Sequence, residues 1–156
     1  MKPRITAAAG LAVAIFVLGS TFLLVGGNGR AGIRHTCSVT DRQFIGAAQL
    51  NMAALGSLSA DYLRGAAEPG EVIEQADFAR KSIRDTDPTD PSLSRTRAIL
   101  RAMFSSYAKA VRAESRHGNP GAYIYRAYGL ANFAHDVLAD ARPELQKRGC
   151  DITSLL

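Results

Sequence analysis

The chain of 156 residues contains two cysteines, Cys37 and Cys150, which enclose nearly everything that follows an apolar N-terminal segment. After an export segment, an even number of cysteines favours a disulfide over separate buried thiols. A disulfide joins Cα atoms that lie about 4.4–6.8 Å apart. The fold of this chain must therefore bring the start and the end of its folded region together.

The N-terminal segment carries Lys2 and Arg4, followed by the uncharged and mostly apolar stretch 5–25. A membrane-spanning helix needs about 20 apolar residues, whereas the apolar part of a signal peptide has about 7–15. The length favours an uncleaved membrane anchor within residues 1–30. The alternative is a signal peptide that is removed, because residues 29–31 read Gly-Arg-Ala, a small-x-small site.

Two indications place the remainder, residues 31–156, outside the cytoplasm. Positive charge before an apolar span favours a cytoplasmic N-terminus, although Arg30 and Arg34 beyond the span weaken this indication. The expected disulfide between Cys37 and Cys150 is the stronger indication, because disulfides persist in oxidising compartments. We expect a single-pass protein of the cell membrane, or a secreted protein if the N-terminus is cleaved.

Apolar residues recur at three- and four-residue intervals in four segments after Cys37, which predicts four amphipathic helices. The first is expected to begin at Thr40, with Gln43 three residues on as its capping-box partner, and to stop at Gly65. Pro143 is expected to kink or restart the fourth. The other predicted boundaries are about 69–84 for the second helix, the cap Asp90 before Pro91 for the third, the breaker 117–121 before the fourth, and Gly149 after it.

Four amphipathic helices joined by short loops predict an all-α, up-down-up-down four-helix bundle. In this topology the start of the first helix and the end of the fourth lie at the same end of the bundle. Cys37 and Cys150 stand at those two positions. The helical periodicity therefore predicts, independently of the cysteines, the proximity that a Cys37–Cys150 disulfide requires.

The net charge of +5 does not indicate a nucleic-acid partner. Four of the 19 basic residues precede Cys37, so the predicted bundle keeps 15 against 14 acidic residues, which leaves +1. A nearly neutral domain gains little from the release of counterions by nucleic acid. We therefore expect no nucleic-acid partner.

The sequence encodes no recognisable catalytic or metal-binding motif. It contains no pair of histidines at helical ligand spacing, no Cys-x-x-Cys-His and no Gly-x-Ser-x-Gly. Asp85, Asp87 and Asp90 loosely resemble a calcium loop, but the glycine and the bidentate glutamate of an EF-hand are missing. Turn formation and helix capping explain these aspartates. We expect no catalytic residue, no metal and no resident cofactor.

A candidate binding surface is indicated by tyrosines at the start of the fourth helix and arginines on the third. Aromatic residues and arginine are enriched in protein interfaces. The simpler alternatives are core tyrosines whose hydroxyls reach water, and arginines neutralised by the acidic second helix. The surface comprises Tyr123, Tyr125, Tyr128, Arg97 and Arg101.

A resemblance to a known class supplies an alternative ligand site. Cys37 ahead of a helix, Tyr62 within Asp61-Tyr62-Leu63, and the closing Cys150 resemble secreted actinobacterial haem-carrier proteins. The resemblance implies a small disulfide-closed helical domain that ligates haem, with Tyr62 as the ligand carried over. The His-Pro expected shortly after that tyrosine is absent, since residues 65–67 read Gly-Ala-Ala. His135 is the other candidate ligand on the predicted helices.

These features favour a membrane-anchored interaction module, such as an accessory subunit of an envelope membrane complex, with its tether at 5–25 in the bilayer. The alternative is a secreted or tethered carrier that holds haem or another apolar molecule between its helices.

Overall fold

A computed structural model describes residues 36–156, which form four α-helices, a short 3-10 turn and, within that range, no strand. The predicted all-helical class is therefore confirmed. None of these helices is both long and apolar enough to cross a bilayer, and the predicted membrane segment, 5–25, lies outside the described residues. The helices are α1 (Val39–Leu63), α2 (Pro69–Arg84), α3 (Pro91–Ser115) and α4 (Gly121–Lys147), and the 3-10 turn is Thr153–Leu155.

The start of α1 differs from the sequence prediction, because Ser38 and not Thr40 caps the helix. The Ser38 hydroxyl accepts a hydrogen bond from the backbone N–H of Asp41 at 3.0 Å. Thr40 lies inside the first turn, and its hydroxyl is 3.0 Å from that of Ser38. Serine and threonine are both good caps. Because Ser38 is the cap, Asp41 lies inside the helix. From this position the side chain of Asp41 forms hydrogen bonds with a loop that is distant in the sequence.

The other helix ends follow local signals in the sequence. Gly65 adopts a φ of 74° and donates its N–H to the carbonyl of Tyr62, while Ala66 donates to Asp61, so the last carbonyls of α1 are satisfied. Asp90 caps α3, and its carboxylate accepts from the N–H groups of Ser92 and Leu93 at 2.8 and 3.1 Å.

Pro143 does not interrupt α4, which contrasts with the predicted restart. A proline inside a helix deprives the carbonyl four residues earlier, here that of Ala139, of its N–H donor. Both Ala139 and Pro143 lie on the exposed side of α4. Water can therefore hydrogen-bond to the carbonyl, and the helix continues to Lys147.

Successive helices pack against each other, and α3 lies against both α2 and α4. Hydrogen bonds between helices fix the register: the Asn51 amide donates to Ser82 at 3.1 Å, and the Tyr107 hydroxyl donates to Ser59 at 2.7 Å. The described residues thus form a four-helix bundle. Large core side chains that are at most 2% exposed come from every helix: Phe44, Val72, Ile83, Leu93, Phe104, Leu138 and Leu145.

The two ends of the bundle contain different elements, and the disulfide lies at one of them. The disulfide end contains the starts of α1 and α3 and the end of α4. There Cys37 and Cys150 are bonded, with Cα atoms 5.0 Å apart and both residues buried. The distal end contains the loops between α1 and α2 and between α3 and α4. The disulfide confirms the proximity that the helical topology predicted.

Removal of the disulfide by the double substitution Cys37→Ala, Cys150→Ala is expected to reduce the free energy of unfolding by about 4–5 kcal/mol. The bond closes a loop with a sequence separation of 113, and the chain-entropy model assigns about that stabilisation to such a loop. Urea unfolding with and without dithiothreitol measures the effect. The reductant should destabilise only the natural protein, and labelling of two free thiols in the untreated protein would contradict the bond.

Candidate functional site

A buried carboxylate organises the disulfide end. Asp41 has no exposed surface, and its side chain accepts hydrogen bonds from the backbone N–H groups of Thr89 and Asp90 at 2.7 and 3.0 Å. The guanidinium of Arg148 lies 3.3 Å away. An α1 side chain therefore holds the loop before α3 and the residue that follows α4.

Arg148, which follows α4, also contacts the beginnings of α1 and α3. Its guanidinium also donates to the second carboxylate oxygen of Asp90, whose first oxygen caps α3. Its carbonyl accepts from the N–H of Cys37 at 2.6 Å. The contacts of Asp41, Asp90 and Arg148, together with the disulfide, form what we call the closing cluster.

The closing cluster keeps Asp41 ionised. Burial raises the pKa of the Asp41 carboxyl, but hydrogen bonds from the Asp90 backbone, from Ser38 and from the backbone and side chain of Thr89 outweigh burial. The resulting pKa lies below the ordinary aspartate value. The ionised form is therefore the one that stabilises the fold.

The chemistry of the closing cluster is structural. Cys37, Asp41 and Cys150 bring atoms of metal-ligand type within 4.8 Å of one another. The two sulfurs are bonded to each other, however, and a disulfide lacks the thiolate that binds metal. The Asp41 oxygens are occupied by Thr89, Asp90 and Arg148.

The remaining loop aspartates have separate partners. Asp85 pairs with Arg84 at 3.0 Å, and Asp87 pairs with Arg97 at 3.0 Å. Arg97 also donates to the carbonyl of Thr86. These contacts direct Arg97 towards the loop before α3.

Replacement of Asp41 by asparagine is expected to reduce the free energy of unfolding at pH 7 by about 3 kcal/mol, because it leaves Arg148 without one buried partner. Asparagine keeps an acceptor for the two backbone N–H groups. Asp85→Asn is the control, since it removes a solvent-exposed ion pair, and its effect should stay within about 0.5 kcal/mol.

The Asp41→Asn effect should also depend on pH. A carboxyl whose pKa is lowered by folding contributes stability above its unfolded pKa of about 3.9, and this stability is lost as the pH falls through the folded pKa. Urea unfolding at pH 7 and pH 3 tests this. If the free energies of unfolding of the natural protein and the variant differ by the same amount at both pH values, Asp41 is not ionised in the folded protein.

The predicted tyrosine cluster divides into two parts on α4. Tyr125 is 81% exposed and Tyr128 is 59% exposed, and residues three apart are neighbours on a helix surface. We call this pair the tyrosine face. Tyr123 lies nearer α3 and lines a cavity there. Phe133, further along α4, packs under the guanidinium of Arg95, 4.9 Å from its ring centre.

The arginines of the predicted surface lie at different points along α3. Arg97 is near the start of α3 at the disulfide end, where its contacts are with the loop. Arg101 is half-buried, and its Nε is buried without a hydrogen-bond partner in the described part of the chain. Sequence reasoning identified a basic side of α3 but could not tell which of its cations contact the preceding loop.

The two alternative haem ligands are well separated. Tyr62 is half-buried at the distal end of α1, where burial, then the charge and hydrogen bond of Glu114, raise the pKa of its hydroxyl. His135 is on α4, with its ring nitrogen 3.6 Å from Asp136. At 1.5 Å per residue, His135 lies about 20 Å along the bundle from the start of α4. A single iron could therefore bind one of these residues and not both.

A shallow cavity of about 240 Å³ lies between the C-terminal part of α3 and the first turn of α4. Sequence reasoning missed it, because its wall combines residues from two helices. The available signal was the spacing of basic residues by three and four positions along α3. The lining residues are Lys109, Arg112, Ala113, Arg116 and Tyr123.

Comparisons of the chain with protein-family models, with curated proteins and with solved structures found no match.

Proposed function

We propose that this chain is a membrane-tethered interaction module outside the cytoplasm, and that it binds a subunit of an envelope membrane complex through the tyrosine face of α4. The observation that carries the proposal is the exposure of Tyr125 and Tyr128, 81% and 59%, side by side on one helix. Tyrosines are frequent among the residues that dominate binding energy in protein interfaces.

The surroundings of the tyrosine face support this role. Between Arg126 and His135 the exposed positions of α4 carry no charged residue, and Gly129 and Asn132 beside the tyrosines are small and uncharged. The cores of protein interfaces are depleted in charge and enriched in tyrosine. A partner helix could therefore approach α4 here without burying an unpaired charge.

The proposed location rests on two features. Residues 5–25 have the length and composition of a membrane-spanning helix, and the Cys37–Cys150 disulfide suits an oxidising compartment. With this tether, the disulfide end faces the bilayer. Residues 125 and 128 are then about 30 Å further out along α4, so the partner must extend that far from the membrane.

The test is affinity purification of the full-length protein from its native membrane in mild detergent, with mass spectrometry of the retained proteins. The double variant Tyr125→Ala, Tyr128→Ala should retain at least tenfold less of a stoichiometric partner. Truncation of hot-spot residues costs about 2 kcal/mol or more of binding free energy. Phe78→Ala is the matched control, since this aromatic residue on α2 is also 59% exposed.

The alternative outcomes are distinct. Equal loss with Phe78→Ala, or no partner for the natural protein, would overturn the proposal. Loss with Leu50→Asp alone would move the interface to α1, where Leu50 is 70% exposed. A coloured preparation without a partner would favour the haem-carrier alternative. Thermal unfolding of each variant checks that the bundle remains folded.

A further inference from the structure

We propose that the cavity between α3 and the first turn of α4 is an oxyanion-binding site that takes a phosphate group. Three of its five lining residues are cationic, Lys109, Arg112 and Arg116, and the phenol of Tyr123 adds a hydrogen-bond donor. Arginine and lysine are the side chains that bind phosphate most strongly, through charge-assisted hydrogen bonds.

The positive charge of the cavity is only partly neutralised by the protein. Arg112 pairs with Asp77 on α2, whereas Lys109 and Arg116 form no ion pair within residues 36–156. Glu114 belongs to the same stretch of α3, but its carboxylate lies beside the hydroxyl of Tyr62 on α1. It is therefore engaged away from the cavity.

The charge that remains matches a phosphate group. The C-terminal end of α3 carries about half a negative charge, and the N-terminal end of α4 carries about half a positive charge. After allowance for Asp77, about two positive charges remain around the cavity. A phosphate monoester carries about −1.5 to −2 at pH 7.

The first turn of α4 leaves one backbone donor next to the cations. The N–H of Gly121 donates to the side chain of Asn119 at 2.9 Å, and those of Tyr123 and Ile124 donate to the carbonyl of Pro120 at 3.0 Å. The N–H of Ala122 is therefore the one group of this turn without an acceptor in the described part of the chain. Unpaired N–H groups at a helix start favour anions. The cavity is smaller than the roughly 300–1,000 Å³ of pockets that enclose drug-sized ligands, so it suits a phosphate with a small substituent.

The test is isothermal titration calorimetry of the full-length protein in neutral detergent at low salt, with pyrophosphate and inorganic phosphate as the probes. We expect saturable binding that Lys109→Gln and Arg116→Gln each weaken about tenfold, the loss typical of one charge-assisted hydrogen bond. Arg42→Gln is the matched control. It removes the same charge from an exposed position at the disulfide end of α1 and should leave the affinity unchanged.

Two results would overturn the site: no saturable heat with either anion, or equal weakening by Arg42→Gln, which would indicate attraction to net charge alone. A second titration distinguishes the sources of the phosphate group. Tighter binding of soluble dihexanoylphosphatidic acid than of glycerol phosphate, which is also a phosphate monoester, would identify a lipid headgroup, and equal binding would identify a soluble phosphate ester. Neither variant alters Tyr125 or Tyr128, so the site and the proposed partner interface succeed or fail separately.

Discussion

The interaction on which the fold depends is the contact of Arg148 with two carboxylates, those of Asp41 and Asp90, at the disulfide end. An ionised aspartate with no exposed surface is costly unless other groups satisfy it. Here two backbone N–H groups and a guanidinium do so. The same contacts fix the start of α3 and the end of α4 relative to α1, which places the two cysteines within bonding distance.

Local signals made much of this architecture predictable. The Asp90 cap followed by a proline, and the glycines at 65 and 149, act on the backbone within a few residues, and each ends or starts a helix where expected. The choice of Ser38 over Thr40 as the first cap was not predictable in this way. Both side chains can cap, and only the structure shows that Asp41 is held by a loop 48 residues further along the chain.

In the candidate sites, too, features set by neighbouring residues could be predicted from the sequence, whereas contacts between distant residues could not. The sequence grouped Tyr123, Tyr125 and Tyr128 at the start of the fourth helix, but it could not show that Tyr123 would share a cavity wall with α3. Nor could the sequence reveal that Arg97 pairs with Asp87 in the loop before α3. Exposure of one helix face follows from periodicity, whereas partners across loops follow from tertiary packing.

The position of the disulfide determines the path of mechanical tension through the protein. With the proposed tether, a pull between the membrane and a partner on α4 enters the bundle at Cys37. It then crosses the sulfur–sulfur bond to Cys150 and runs along α4. This covalent path bypasses α1, α2 and α3, so they need not unfold when the partner is pulled. The bundle can therefore transmit tension through one helix and one covalent bond, while the other three helices keep that helix in place.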